Sequence, residues 1–190
     1  HNRYPSIAVV GEVLGFAREE NITKSIRHAY QELGVGGSIE YLENIAPDVR
    51  SKFYLSINYD LMSVPAPWLI FWSGNVSIRK ADLIEIGFFD EKIEGWGGED
   101  LDVGYSLQKL GVQFVVGKGI YGVHFPHEKS DIENLNSSLE NYKYLAEKHS
   151  DKVFLMIENM DYIQINKSLM SERAVPNGAH LSHNLSIFKK

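Results

Sequence analysis

The sequence predicts an α/β layered domain, and three observations carry that prediction. β-branched and aromatic runs alternate with stretches whose apolar residues recur at helical spacing. Of the 190 residues, 44% are apolar and 23% charged, the mixture of a chain that buries a core rather than one that stays disordered. Aromatic residues reach 12%, enough for both a core and exposed stacking faces. At about 150 residues per domain, the length suits one domain over residues 1–150 and an extension over 151–190.

The elements come in order along the chain. Ser6–Phe16, SIAVVGEVLGF, reads as a buried strand running into a turn. Arg18–Leu33 places Ile22, Ile26, Ala29, Tyr30 and Leu33 at helical spacing, and Gly34, Gly36 and Gly37 mark its end. Ser38–Tyr54 has a weaker helical pattern interrupted by Pro47, and Pro65 and Pro67 punctuate the chain after it. Trp68–Ile78, WLIFWSGNVSI, reads as a second strand, and Arg79–Ile86 as a short helix. Gly87–Gly98 is a loop. Glu99–Leu110 is an amphipathic helix with Leu101, Val103, Leu107 and Leu110 on its apolar side, closed by Gly111. Gln113–Val116 and Gly119–Phe125 read as two short strands. From Asp131 a further helix carries Leu135, Leu139, Tyr142 and Leu145 or Ala146 as its stripe. Beyond Asp151 the pattern is mixed, with Pro176–His183 loop-like and Lys189 and Lys190 expected to fray.

Composition excludes several classes. With 19 basic against 25 acidic residues the net charge is −6, and no basic stripe is visible, so no nucleic-acid partner is expected. Without cysteine there is no disulfide framework, thiolate metal site or Cys nucleophile. The longest apolar run, around Trp68–Trp72, is far short of the about 20 residues of a membrane span, and no signal-peptide pattern opens the chain. The expected location is cytoplasmic, with membrane association left open.

Chemistry-bearing residues concentrate between Ser73 and His127. Gly97 and Gly98 permit close backbone approach or positive φ. Trp96 offers a flat face for a sugar ring. Glu99 and Asp100 open a helix, where the dipole favours ionised carboxylates, and an ionised carboxylate beside a stacking face suits a general base acting on a sugar hydroxyl. A capping carboxylate after a glycine turn, with Trp96 in the core, explains the same letters. Gly74 and Asn75 interrupt an apolar run, as a bulge, a ligand contact, or a kink whose Asn satisfies local backbone. His124 ends a strand and His127 lies three residues on. A neutral imidazole there could complete a divalent cation's shell, although a surface His is more often only that.

Taken in order, Ser73-Gly74-Asn75-Val76-Ser77-Ile78-Arg79, Gly87-Phe88-Phe89-Asp90-Glu91, Gly95-Trp96-Gly97-Gly98-Glu99-Asp100-Leu101-Asp102 and His124 resemble the C-terminal half of GT-A glycosyltransferases. The likeness is to the galactosyltransferase C-terminal region of β-1,4-galactosyltransferases, chondroitin polymerases and bacterial family-2-like enzymes. It covers about residues 7–148 and is strongest from Trp72 to Asp102.

The resemblance implies the C-terminal part of a nucleotide-diphospho-sugar transferase fold, a mixed sheet flanked by helices. It implies inverting transfer from a nucleotide sugar, most simply a UDP-sugar, to a saccharide acceptor, with Mn²⁺ or Mg²⁺. Asp100 is then the expected base and Glu99 contacts a sugar. Trp96, Gly97 and Gly98 line the sugar pocket, Gly74 and Asn75 lie near the donor, and His124, or alternatively His127, ligates the metal. The Asp-x-Asp half that such enzymes place upstream is not in the sequence; Asp100-Leu101-Asp102 is not read as that motif. A truncated piece, part of a longer chain and a free-standing relic stay open, and a fragment of this kind calls for a homo-oligomer, a missing N-terminal half or a repacked tail as cover. Two other functions compete. One is a sugar-binding or scaffolding module without turnover. The other is a hydrolase using Glu99 and Asp100, whose adjacent helical positions diverge by about 100° and suit opposite faces of one sugar poorly.

Overall fold

A computed structural model describes residues 5–16, 20–125 and 131–174. Arg18, Pro126, His127 and everything from residue 175 lie outside the described residues, as does the side chain of Ile22.

A three-stranded mixed sheet organises the chain. β1 (Ile7–Leu14) is central, with β2 (Val76–Ser77) antiparallel on one side and β3 (Gln113–Val123) parallel on the other. β1 holds the middle because its near-continuous apolar run can be buried on both faces. Ala8 and Val10 enter the main core, while Leu14 joins a second cluster with Ile26, Leu42 and Ala46. The two short strands expected over 113–125 are one strand. Pairing is regular up to Gly11 opposite Gly117 and resumes at Glu12 opposite Tyr121, so Lys118–Ile120 bulge out. The bulge is pinned: Gly119 N–H donates to the Glu12 carboxylate at 2.8 Å, and the Asn75 amide donates to the Glu12 and Ile120 carbonyls at 2.9 Å each.

The strand expected over Trp68–Ile78 is mostly absent. Pro67–Ile70 and Ser73–Asn75 are 3₁₀ turns, and only Val76–Ser77 pair with β1. An unbroken apolar run does not distinguish strand from buried turn, and Pro67 starts the first turn where its missing N–H costs nothing. Trp68 to Phe71 are all buried, so no strand-like alternation exists there.

Helix α1 (Glu20–Ile45) is two helical segments joined at a kink: the first ends at Gly34, as expected, where φ 63° and ψ −174° are non-helical, and helix resumes beyond it through Gly36 and Gly37. Ile26 and Ala29 are buried as predicted, whereas Tyr30 and Leu33 are exposed. After Pro47 comes α2 (Ser51–Ser56), and α3 (Lys80–Glu85) follows β2. α4 (Glu99–Lys109) buries Leu101, Val103 and Leu107, and Gly104 lets it approach the Trp68 carbonyl: a Cβ there would lie 3.0 Å from it. The three-residue connection Leu110–Val112 turns the chain back into β3.

In α5 (Asp131–His149) Leu145 is buried and Leu135 exposed. α6 (Val153–Met156) and α7 (Tyr162–Ala174) send Val153, Phe154 and Ile165 into the main core. The Asn166 side chain brackets Ala66, accepting from its N–H at 2.8 Å and donating to its carbonyl at 3.3 Å. Residues beyond Asp151 thus cover the 65–71 turns.

One ion pair lies inside this core. The Arg50 and Asp48 side chains are 0% and 1% exposed and meet at 2.6 Å. Arg50 also donates to the carbonyls of Ile70 (2.8 Å) and Gly11 (2.9 Å), and its guanidinium lies 4.6 Å from the Trp72 ring centre. Asp48 accepts from Val13 N–H at 2.6 Å. The pair ties β1 to the turn that leads into Ser73–Asn75.

Candidate active site

The loop before α4 is shaped by α5. Gly97 and Gly98 have φ of 86° and 106°, where side chains are strained. A Cβ on Gly98 would come within 3.1 Å of the Asn141 Cβ, and one on Gly97 within 3.0 Å of the Ser138 Cβ. At these two positions the close approach that glycine permits is made by α5. Asn141 donates to the carbonyls of Glu94 (2.9 Å) and Gly97 (2.7 Å). Trp96 N–H donates to Ser137 Oγ at 3.0 Å, and the residue is 42% exposed, so its indole is not the core residue of the alternative reading.

Three carboxylates lie in the first turn of α4: Glu99, Asp100 and Asp102. Asp102 is buried and paired, to Lys148 Nζ at 2.8 Å and His149 Nε2 at 2.7 Å. Lys148 also reaches Asp90 at 2.7 Å, and Tyr144 O–H donates to the same Asp90 oxygen at 2.7 Å. The Lys148 hydrogen bond, aided by the Lys92 N–H and Tyr144, holds the Asp90 carboxyl well below the usual range. Burial pulls the Lys148 ammonium down, but its bonds to Asp102 and Asp90 outweigh that and raise it.

Glu99 and Asp100 differ from Asp102. Among the described residues, Glu99 Oε2 and Asp100 Oδ1 are buried side-chain oxygens without a hydrogen-bond partner. Burial pushes the Glu99 carboxyl above its ordinary value; backbone N–H groups counter this and the charge of Asp100 adds to it. Two buried acceptors without donors, next to an exposed indole, can receive hydroxyl groups from a ligand.

Gly74, Asn75 and His124 gather on the other flank, at the carboxyl edge of the sheet. A Cβ on Gly74 would meet Val13 at 3.8 Å, while His124 N–H bonds to the Leu14 carbonyl at 2.8 Å and its ring lies 4.7 Å from that of Phe16, the planes tilted by 59°. Phe16 in turn lies 5.9 Å from Trp72. Asn75 satisfies backbone, but not local backbone: its amide donates to the carbonyls of Glu12 and Ile120 on the two strands, and Gly11 is glycine because a Cβ there would sit 2.4 Å from that amide. Among the described residues no group of three His, Asp or Glu side chains could hold a metal ion. His124 therefore belongs to no such group among the described residues.

Sequence reasoning missed Arg50, Asp48, Ser137, Asn141, Tyr144 and Lys148. The last four had a signal, polar residues at spacings of four, three and four along one helix.

A family profile described as the N-terminal domain of galactosyltransferase matches residues 54–147. The chain is 37% identical over 102 residues to a validoxylamine A glucosyltransferase of Streptomyces hygroscopicus subsp. jinggangensis, covering 54% of this chain and 24% of that protein. It is 30% identical over 111 residues to a chondroitin synthase of Escherichia coli, covering 58% and 16%. A hyaluronan synthase of Pasteurella multocida is 42% identical over 59 residues, covering 31% and 6%. The chain therefore spans about a quarter or less of these relatives' length. No solved structure matches it. Among the described residues no helix is long and apolar enough to cross a membrane. The segment that supplies Trp96, Glu99 and Asp100 lies within residues 54–147, the stretch that is similar to galactosyltransferase.

Proposed function

We propose that the chain is the acceptor-side, C-terminal portion of a GT-A glycosyltransferase that moves a sugar from a nucleotide donor to a saccharide hydroxyl with inversion. The observation that supports this most is the pair of buried, partnerless oxygens on Glu99 and Asp100 beside the exposed Trp96. Asp100 accepts the acceptor hydroxyl's proton as that oxygen bonds to C1 of the donor sugar. The bond from C1 to the diphosphate oxygen breaks on the opposite face, and the nucleoside diphosphate leaves. Glu99 orients a sugar hydroxyl, and Trp96, with the Gly97–Gly98 turn beneath it, bounds the sugar. Gly74 and Asn75 border the donor side, Asn75 through its place in the bulge. A divalent cation, Mn²⁺ or Mg²⁺, would neutralise charge on the leaving diphosphate, with His124 or His127 as a ligand. The names of two relatives, a chondroitin synthase and a hyaluronan synthase, support polysaccharide assembly, and a UDP-sugar donor and a cytoplasmic location are part of the same proposal.

In the complete enzyme, Asp100→Asn should abolish transfer and leave donor binding intact. Equal transfer rates for the variant and its parent would end the base assignment. A second reading, sugar binding without turnover, takes the exposed Trp96 as a stacking face and needs no proton transfer. Titrating the 190-residue chain with UDP and GDP, with and without Mn²⁺, separates the two. Binding that requires Mn²⁺ indicates a working donor site, and saccharide binding alone indicates the second reading.

A further inference from the structure

The 87–98 loop and the first turn of α4 are held by one stripe of α5. Ser137, Asn141, Tyr144 and Lys148 are spaced four, three and four residues apart, so they share one face of the helix. Each holds a different point. Ser137 Oγ accepts from Trp96 N–H, and Asn141 donates to the carbonyls of Glu94 and Gly97. Tyr144 and Lys148 both reach Asp90, and Lys148 continues to Asp102. His149 takes the other Asp102 oxygen.

We propose that this polar stripe is a positioning device for the candidate catalytic carboxylates, with Lys148 as its central residue. The inference rests on the reading of Glu99 and Asp100 as those carboxylates. Neither side-chain oxygen left without a partner is fixed by the protein, so the carboxylates take much of their orientation from the backbone that carries them. That backbone is weakly determined by itself, because Gly95, Gly97 and Gly98 all have positive φ and bring no side chains to pack. α5 supplies what the loop lacks. Lys148 also answers an electrostatic difficulty. Glu99, Asp100 and Asp102 crowd one helical turn, and the helix dipole offsets only about half a charge. By pairing Asp102, Lys148 leaves two uncompensated carboxylates there instead of three. Its second bond, to Asp90, couples that turn to the start of the loop, so displacement of one displaces the other.

Hydrogen exchange on the whole chain tests this without any need for turnover. Lys148→Met should speed amide exchange about ten-fold or more across residues 89–102 and change β1 and β3 less than about two-fold, while Lys148→Arg restores protection. Asp90→Asn, which keeps Lys148 and Asp102, should speed exchange in 89–94 more than in α4. In a transfer assay Lys148→Met should lower kcat about a hundred-fold with the acceptor KM little changed. Exchange that rises equally everywhere, or nowhere, overturns the proposal, as does an unchanged kcat in an active enzyme. Local exchange effects in a chain that transfers nothing would sustain the brace and remove the transferase reading.

Discussion

Arg50→Met would test whether the buried ion pair anchors the sheet to the turn beneath the site. The substitution keeps an unbranched apolar stem and removes the guanidinium. Asp48 then stays buried with only the Val13 and Arg50 backbone N–H groups, at 2.6 and 2.7 Å. The carbonyls of Gly11 and Ile70 lose donors at 2.9 and 2.8 Å. Breaking one partner of a buried pair costs about 3–5 kcal/mol, and orphaned carbonyls push toward the upper end. A loss of about 4 kcal/mol is a large part of the about 5–15 kcal/mol that holds a typical domain. Urea unfolding, monitored by tryptophan fluorescence and extrapolated linearly, measures it. The double variant Asp48→Asn, Arg50→Met should recover part of the loss, because no unpaired charge remains. A single-variant loss below about 1 kcal/mol would show that Arg50 is not the anchor the geometry makes it.

Gly98→Ala should cost about 2 kcal/mol, from a φ of 106° together with the approach to Asn141, and a thermal melt that moves by less than a degree would contradict it. Asn75→Ala should cost about 1–2 kcal/mol by releasing two bulge carbonyls, with faster exchange at Lys118–Tyr121 as the local sign. Glu99 holds its proton more tightly folded than unfolded, so its contribution to stability falls as pH rises above about 4. Glu99→Gln should therefore be more stable than the parent at pH 7, with the difference gone near pH 3 in a stability-against-pH series. Asp90 is the reverse case. Its depressed carboxyl stabilises the fold above about pH 4 and loses that effect as pH falls, so Asp90→Asn should flatten the acid limb of the same curve.

The sequence made the carboxylate helix and the sheet legible because each obeys a local period. Leu101, Val103 and Leu107 mark the buried side of α4, and the Ser6–Phe16 run reads as the strand that it forms over Ile7–Leu14. Trp68–Ile78 misled because burial on all sides erases the alternation that identifies a strand. Gly34 was legible as the end of a helical segment, and what the local sequence did not show is that a second segment starts directly after it through Gly36 and Gly37. At the site, Trp96, Glu99 and Asp100 could be singled out as adjacent letters. The contacts that hold them come from α5, about 40 residues later, and only tertiary packing reveals those. Gly97 and Gly98 were legible as a tight approach, but not as an approach by a helix.

The bulge in β3 has a consequence for how this sheet can change over evolutionary time. β1 has eight residues and β3 eleven, and Lys118–Ile120 make up the difference. Every residue from Tyr121 onward keeps the partner it would have had in a strand lacking those three. His124 therefore stays beside Leu14 whether the excursion is present or deleted. Length variation in the middle of the strand would then leave the register at the rim beside His124 unchanged.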